Sequence, residues 1–180
     1  YNPRGTDVSV VLDLMIHDID LLINTITCKI RKIAATGTSI VSKTTDIAHV
    51  RIEFENGCVA NLTANRIALQ NVRKMSVFEE NSFINVDLLN KTTIIHKIQP
   101  ISSNSNHKGV LIDPGFGQQK FEILQNQPII NPVNAIKTEL EFFYKSISQN
   151  FPLAVSLTDA EKALQIVQDI EFQINPSRKS

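Results

Sequence analysis

The first 27 residues place apolar side chains at a helical period. Leu12, Ile16, Ile19, Ile23 and Ile26 follow i, i+4, i+7 spacing, and Asp7 or Ser9 stands where a cap belongs. The other faces carry Val11, Leu14, Met15, Leu21 and Leu22, so the pattern predicts a helix apolar nearly all round and therefore buried. Its polar residues are then informative. At about 100° per residue, Asp13, His17, Asp20 and Asn24 fall within roughly 60° of one another, with Asp18 off that stripe. A buried helix with one narrow polar ridge must turn the ridge toward something.

After Cys28 the period becomes 2. Residues 30–41 read as a strand, and residues 47–54 alternate, with Val50, Ile52 and Phe54 on one side and His49, Arg51 and Glu53 on the other. Asn56-Gly57 predicts a type I′ hairpin turn with both residues at positive φ, and residues 58–67 return as the partner strand. Residues 74–79, 83–88 and 92–98 are three further strands, giving an antiparallel meander. Residues 100–118 are polar, punctuated by Gly and Pro, and read as one long loop, followed by a short strand at 121–124. Two helices close the chain. Asn131 caps the first with Pro132 at its first position, and Val133, Ile136, Leu140, Phe143 and Ile147 form its apolar stripe. A capping box of Thr158 with Glu161 opens the second, which continues through Ala160, Ala163, Leu164, Val167, Ile170 and Ile174. The layout is α+β: one largely antiparallel, open-faced sheet with helices packed on one face, in a single domain over residues 1–180. The other sheet face, with Arg51, Glu53, Asn61, Thr63 and Asn65, is expected to be wet or to meet a second copy.

Composition narrows the function. A chain of 180 residues, 42% hydrophobic, can bury a core without disulfide or metal staples. Its 18 Lys+Arg balance 18 Asp+Glu, which removes the basic footprint that nucleic acid or an anionic membrane requires. No apolar run is long enough to span a membrane. The two cysteines, Cys28 and Cys58, build neither a disulfide framework nor a zinc site and imply a reducing, cytoplasmic setting. The chain opens at Tyr1 rather than Met, which leads us to expect that a segment precedes it.

The strongest local signal for chemistry is Asp13-x-x-x-His17. Four residues apart on a helix, the carboxylate can hold the imidazole in one tautomer and stabilise its protonated form, as a general acid or base requires. The same pair also reads as a structural ion pair, and Asp13, His17 and Asp20 together as a three-ligand metal ridge with no second cluster to complete it. His49, His96 and His107 are expected to be solvated or packed, Cys28 and Cys58 to pack as small hydrophobes, and Arg66 to be an exposed structural arginine. Gly115-Phe116-Gly117 lacks the strand-to-helix setting of a phosphate loop, and no GxGxxG occurs.

Residues 7–20, with Leu12-Asp13 followed by His17-Asp18-Ile19-Asp20, resemble the helix that opens the C-terminal domain of the glucose–fructose oxidoreductase/inositol dehydrogenase (Gfo/Idh/MocA) family, most of all its nucleotide-sugar dehydrogenases. The hairpin over residues 52–66 is similar to the family's strand pair, and residues 139–150, 152–156 and 159–170 to its closing segment. The likeness is weakest over residues 99–130. It implies a glyceraldehyde-3-phosphate dehydrogenase-like C-terminal domain that binds substrate and forms oligomers through its open sheet. It also implies an N-terminal Rossmann domain, absent from this chain, that holds NAD or NADP and supplies a lysine. By position, His17 would exchange the proton of a sugar, nucleotide-sugar or polyol hydroxyl while hydride moves to nicotinamide, and Asp13 would hydrogen-bond the sugar and orient His17. On that expectation the chain alone binds no cofactor and is inactive. The alternative is a non-catalytic dimerisation or sugar-binding module.

Overall fold

A computed structural model of the chain describes residues 5–101, 108–153 and 155–176. The opening residues 1–4, His107 and Ala154 lie outside the described residues. The fold class is α+β, as the patterning predicts, and the strands hydrogen-bond into two antiparallel sheets rather than one. Two compact units result, Tyr1–Leu69 with Ile136–Ser180, and Gln70–Ala135.

The first unit opens with a π-helical turn, Val11–Met15, that runs directly into α1, Ile16–Thr25. Ser9 acts as the cap, its Oγ accepting from the Leu12 N–H at 3.2 Å while also donating to the Glu171 carboxylate. Three strands follow: β1 (Ile30–Thr38), β2 (Ile47–Phe54) and β3 (Val59–Asn65), paired in the order β1-β2-β3. Alternation in β2 is clean, with Ala48, Val50, Ile52 and Phe54 buried and His49 and Arg51 exposed. Onto the buried face pack Val11, Met15 and Ile19 from the opening helix and Ala163, Ile166, Val167 and Ile170 from α3 (Leu157–Ile174). Each large aliphatic side chain removed from water there contributes about 1.5–3 kcal/mol. Cys28 and Cys58 are half-buried against this core, both as free thiols.

The opening helix departs from the expectation of burial all round. It buries a single face, and Leu12 and Leu14 are 40% and 42% exposed. The hairpin differs too. Gly57 alone has positive φ, at 85°, and the Phe54 N–H donates to the Cys58 carbonyl while the Gly57 N–H returns to Phe54. Glu55-Asn56-Gly57 is thus a three-residue loop, a type I turn closed by a left-handed glycine, and it pairs Glu53 with Val59. The cap of α3 is Ser156 with Asp159, two residues before the predicted pair, because Ser156 is the residue with extended backbone (ψ 159°).

α2 (Ala135–Gln149) begins four residues after Asn131. Its predicted stripe exists but is uncovered, with Ile136, Leu140, Phe143 and Ile147 all more than half exposed.

The second unit is a five-stranded antiparallel sheet in the order β4-β5-β6-β8-β7. Its strands are β4 (Lys74–Glu79), β5 (Ser82–Asp87), β6 (Thr92–Pro100), β7 (Val110–Ile112) and β8 (Phe121–Asn126). β7 falls inside the stretch read as loop. It is only three residues long, and buried Glu122 anchors its approach by accepting the N–H groups of Lys108 and Gly109 at 2.6 and 2.7 Å. His96 is packed as expected, its ring 4.1 Å from that of Phe83 and nearly parallel to it.

Candidate functional site

The polar ridge forms. Asp13 lies on the π-helical turn and His17 on the first turn of α1, both exposed, with half-buried Asp20 and exposed Asn24 further along. The Asn24 side-chain amide donates to Asp20 Oδ1 at 3.1 Å and to the Asp20 carbonyl at 2.9 Å, which closes that end of the ridge on itself. At the other end Asp13 and His17 face solvent. Among the described residues no hydrogen bond joins the two. The Asp13 carboxylate lies instead over the turn at Gly5, where a methyl group would stand 2.9 Å from Oδ2. Among the described residues no group of three or more His, Cys, Asp and Glu side chains is placed to hold a metal ion. π-Helical turns are uncommon and frequently mark functional positions.

Beside the start of this helix lies a buried polar network that patterning missed. Asp46, fully buried, accepts the N–H groups of Ile40, Val41 and Ser42 at 2.7, 2.7 and 2.9 Å and the Ser42 hydroxyl at 2.7 Å. Burial alone pushes this carboxyl upward, but the Ser42 hydroxyl and the three N–H donors outweigh it and hold Asp46 well below the ordinary carboxylate range. The Arg66 side chain is only 5% exposed, contrary to the exposed role expected of it. Its Nη1 stands 3.6 Å from Asp46 Oδ1, and its Nη2 donates to the Val8 carbonyl at 2.6 Å. Thr44 Oγ1 hydrogen-bonds the carbonyls of Thr6 and Val8, and the Val10 N–H donates to the Thr45 carbonyl. The hairpin register sets Asp46 opposite Arg66, whose N–H donates to the Asp46 carbonyl at 3.0 Å.

On the outer face of β1–β3 the side chains are polar and paired with one another. Arg31 and Arg51 both reach Glu53, at 2.6 and 3.1 Å, and His49 Nδ1 meets Thr63 Oγ1 at 3.1 Å. The two arginines lower the Glu53 carboxyl, Arg31 the more strongly.

A three-stranded antiparallel sheet with two helices on one face, and a second antiparallel sheet, define an α+β class of fold. Residues 1–83 match the model of the GFO/IDH/MocA C-terminal domain. The chain is 29% identical over 153 residues to a UDP-N-acetylglucosamine 3-dehydrogenase of Acidithiobacillus ferrooxidans, a match covering 85% of this chain and 44% of that protein. A solved structure of the same enzyme superimposes with a TM-score of 0.81 at 24% identity, covering 98% of this chain and 52% of that one. An NAD-binding protein from Listeria innocua gives a TM-score of 0.69 at 16% identity over 94% of this chain and 50% of that one. The chain thus spans about half the length of the relatives it matches. Its similarity, in sequence over residues 1–83 and in fold over nearly the whole chain, is to the C-terminal domain type of the Gfo/Idh/MocA family. Among the described residues no helix is long and apolar enough to cross a membrane.

Proposed function

We propose that this chain is the substrate-binding and oligomerising domain of an NAD(P)-dependent oxidoreductase, acting in the cytoplasm on a hydroxyl of a sugar, nucleotide sugar or polyol. The observation that carries the reading is the solvent-facing Asp13–His17 pair, which lies within the residues matched to the family. His17 takes the proton from the substrate hydroxyl as it is oxidised and returns it in the reverse direction. Asp13 accepts a hydrogen bond from the sugar and orients the imidazole, within the reach that four-residue spacing gives.

Among the described residues both sheets are antiparallel, and the sequence offers no strand, Gly-rich turn and helix on which a dinucleotide could rest. The residues of this chain do not fit that cofactor, so only proton handling and substrate orientation are assigned to them. The cofactor belongs to a separate domain. The uncovered stripe of α2 supports a docking partner, because contiguous apolar patches are uncommon on free-standing domains.

The experiment is an assay of the natural full-length polypeptide with UDP-N-acetylglucosamine and either nicotinamide dinucleotide. His17→Ala is expected to lower kcat by about 10²–10⁴, the usual worth of a positioned acid–base group. Asp13→Asn should lower kcat and raise the sugar KM together. Parent-like turnover in both variants would favour a non-catalytic dimerisation or sugar-binding module instead.

A further inference from the structure

We propose that Arg66 is a positioning residue for the Asp13–His17 ridge, acting through the turn that precedes the helix. The inference rests on the reading of that ridge given above. The path from Arg66 to Asp13 is continuous. Residues 40–42 close over Asp46, and Asp46 stands beside the guanidinium with both side chains almost wholly out of solvent. The guanidinium is thereby aimed at two targets, Val8 O at 2.6 Å from Nη2 and Thr44 Oγ1 at 3.3 Å from Nη1. Thr44 Oγ1 in turn lies 2.9 Å from the Val8 carbonyl and 3.2 Å from that of Thr6. Both carbonyls of the turn are thus fixed from the sheet side.

The other end of the turn is Gly5, whose φ of 82° favours glycine, and it is the surface on which the Asp13 carboxylate rests. A shift of the Val8 carbonyl therefore moves the support of Asp13. A point charge beside Asp46 could neutralise that carboxylate equally well. Reaching Asp46, Val8 and Thr44 together takes the planar fork of an arginine.

The test uses Arg66→Lys, which keeps the charge and loses the fork, and Thr44→Val, which is isosteric, releases the Thr6 carbonyl and takes one of two donors from the Val8 carbonyl, should Arg66→Lys fail to fold. The side-chain carboxyl resonance of Asp13 and the ring resonances of His17 are read by NMR in the 180-residue chain. Both variants are expected to move them while those of Asp87, at the end of β5, stay in place. Folded variants with unmoved Asp13 and His17 resonances, or a lower melting temperature as the only change, overturn the proposal.

In the full-length polypeptide, with the same UDP-N-acetylglucosamine assay, kcat should fall about tenfold to a hundredfold with the nicotinamide KM unchanged. Misplacement by ~1 Å can cost about that much. In an Asp13→Asn background Arg66→Lys should cost little further, because the two act on one element. Full additivity counts against positioning. Parent-like turnover in Asp13→Asn itself defeats the catalytic reading alone, and the resonances still decide whether Arg66 positions the ridge.

Discussion

Asp46 and Arg66 show how a single pair can be invisible to patterning and still govern the chain around it. Each is a lone charge at a strand end, and nothing local marks either as buried. Their partnership depends on hairpin register. A two-residue turn at Asn56-Gly57 offsets the pairing by one position and sets Arg66 beside Ile47, whereas the three-residue loop sets it opposite Asp46. The pair has a consequence for acid stability. Because the folded carboxyl titrates below its unfolded value, its contribution is present in full above the unfolded pKa of about 4 and is lost as pH falls below that. Thermal melts taken from pH 7 down to pH 3 should therefore show a falling midpoint. Asp46→Asn should flatten part of that fall and cost about 3–5 kcal/mol at neutral pH, since Arg66 is left buried without its charge partner. A variant that melts like the parent at pH 7 removes the pair from the list of stabilising features. The Asp13–His17 ridge was legible for the opposite reason: helical spacing alone places those residues on one strip.

At the level of elements, the strands and helices follow from period, and the differences sit where one residue's backbone decides. All the strands predicted over residues 30–98 form, yet the hairpin turn is of another type because Asn56 keeps negative φ and Gly57 alone takes the left-handed position. Gly57→Ala should cost about 1–2 kcal/mol, the penalty for a Cβ in that conformation, while Asn56→Ala should cost less; denaturant unfolding of the two variants separates the turn types. α3 begins at Ser156 because its hydroxyl accepts the Asp159 N–H and Asp159 reaches back to complete the box. Ser156→Ala should cost about 1 kcal/mol and Thr158→Ala close to nothing, a contrast measurable in the same experiment. β7 was not legible because three residues carry too short a period to read, and a side chain, Glu122, holds the N–H groups just ahead of it. Gln173 is a related case. From α3 its amide donates to the Ile33 carbonyl and accepts from the Ala35 N–H, and so closes part of the open edge of β1 against strand addition.

At the scale of the whole molecule, two surfaces of the first unit differ in kind. The outer face of β1–β3 is largely polar, and Arg31 and Arg51 share the Glu53 carboxylate there. A polar face of this kind, like the mixed polar interfaces of non-obligate dimers, suits a second copy of the chain across a two-fold axis. The stripe of α2 is apolar and uncovered, which suits a different occupant, the cofactor domain proposed above. The two assignments separate by measurement. Light scattering of the 180-residue chain should give a dimer. Thr63 stands in the cross-strand row with His49 and Thr36, on the polar face of the edge strand β3. Thr63→Glu puts a charge there without touching the core, so it should shift the mass to monomer while the melting temperature of the dissociated chain stays within a few degrees of the parent. Phe143→Ser, on α2, should leave the mass of the chain unchanged and weaken its binding to a separately expressed cofactor domain. A parent chain that stays monomeric at high concentration removes the sheet-face assignment, and a dimer abolished by Phe143→Ser in place of Thr63→Glu moves the self-association to the helix.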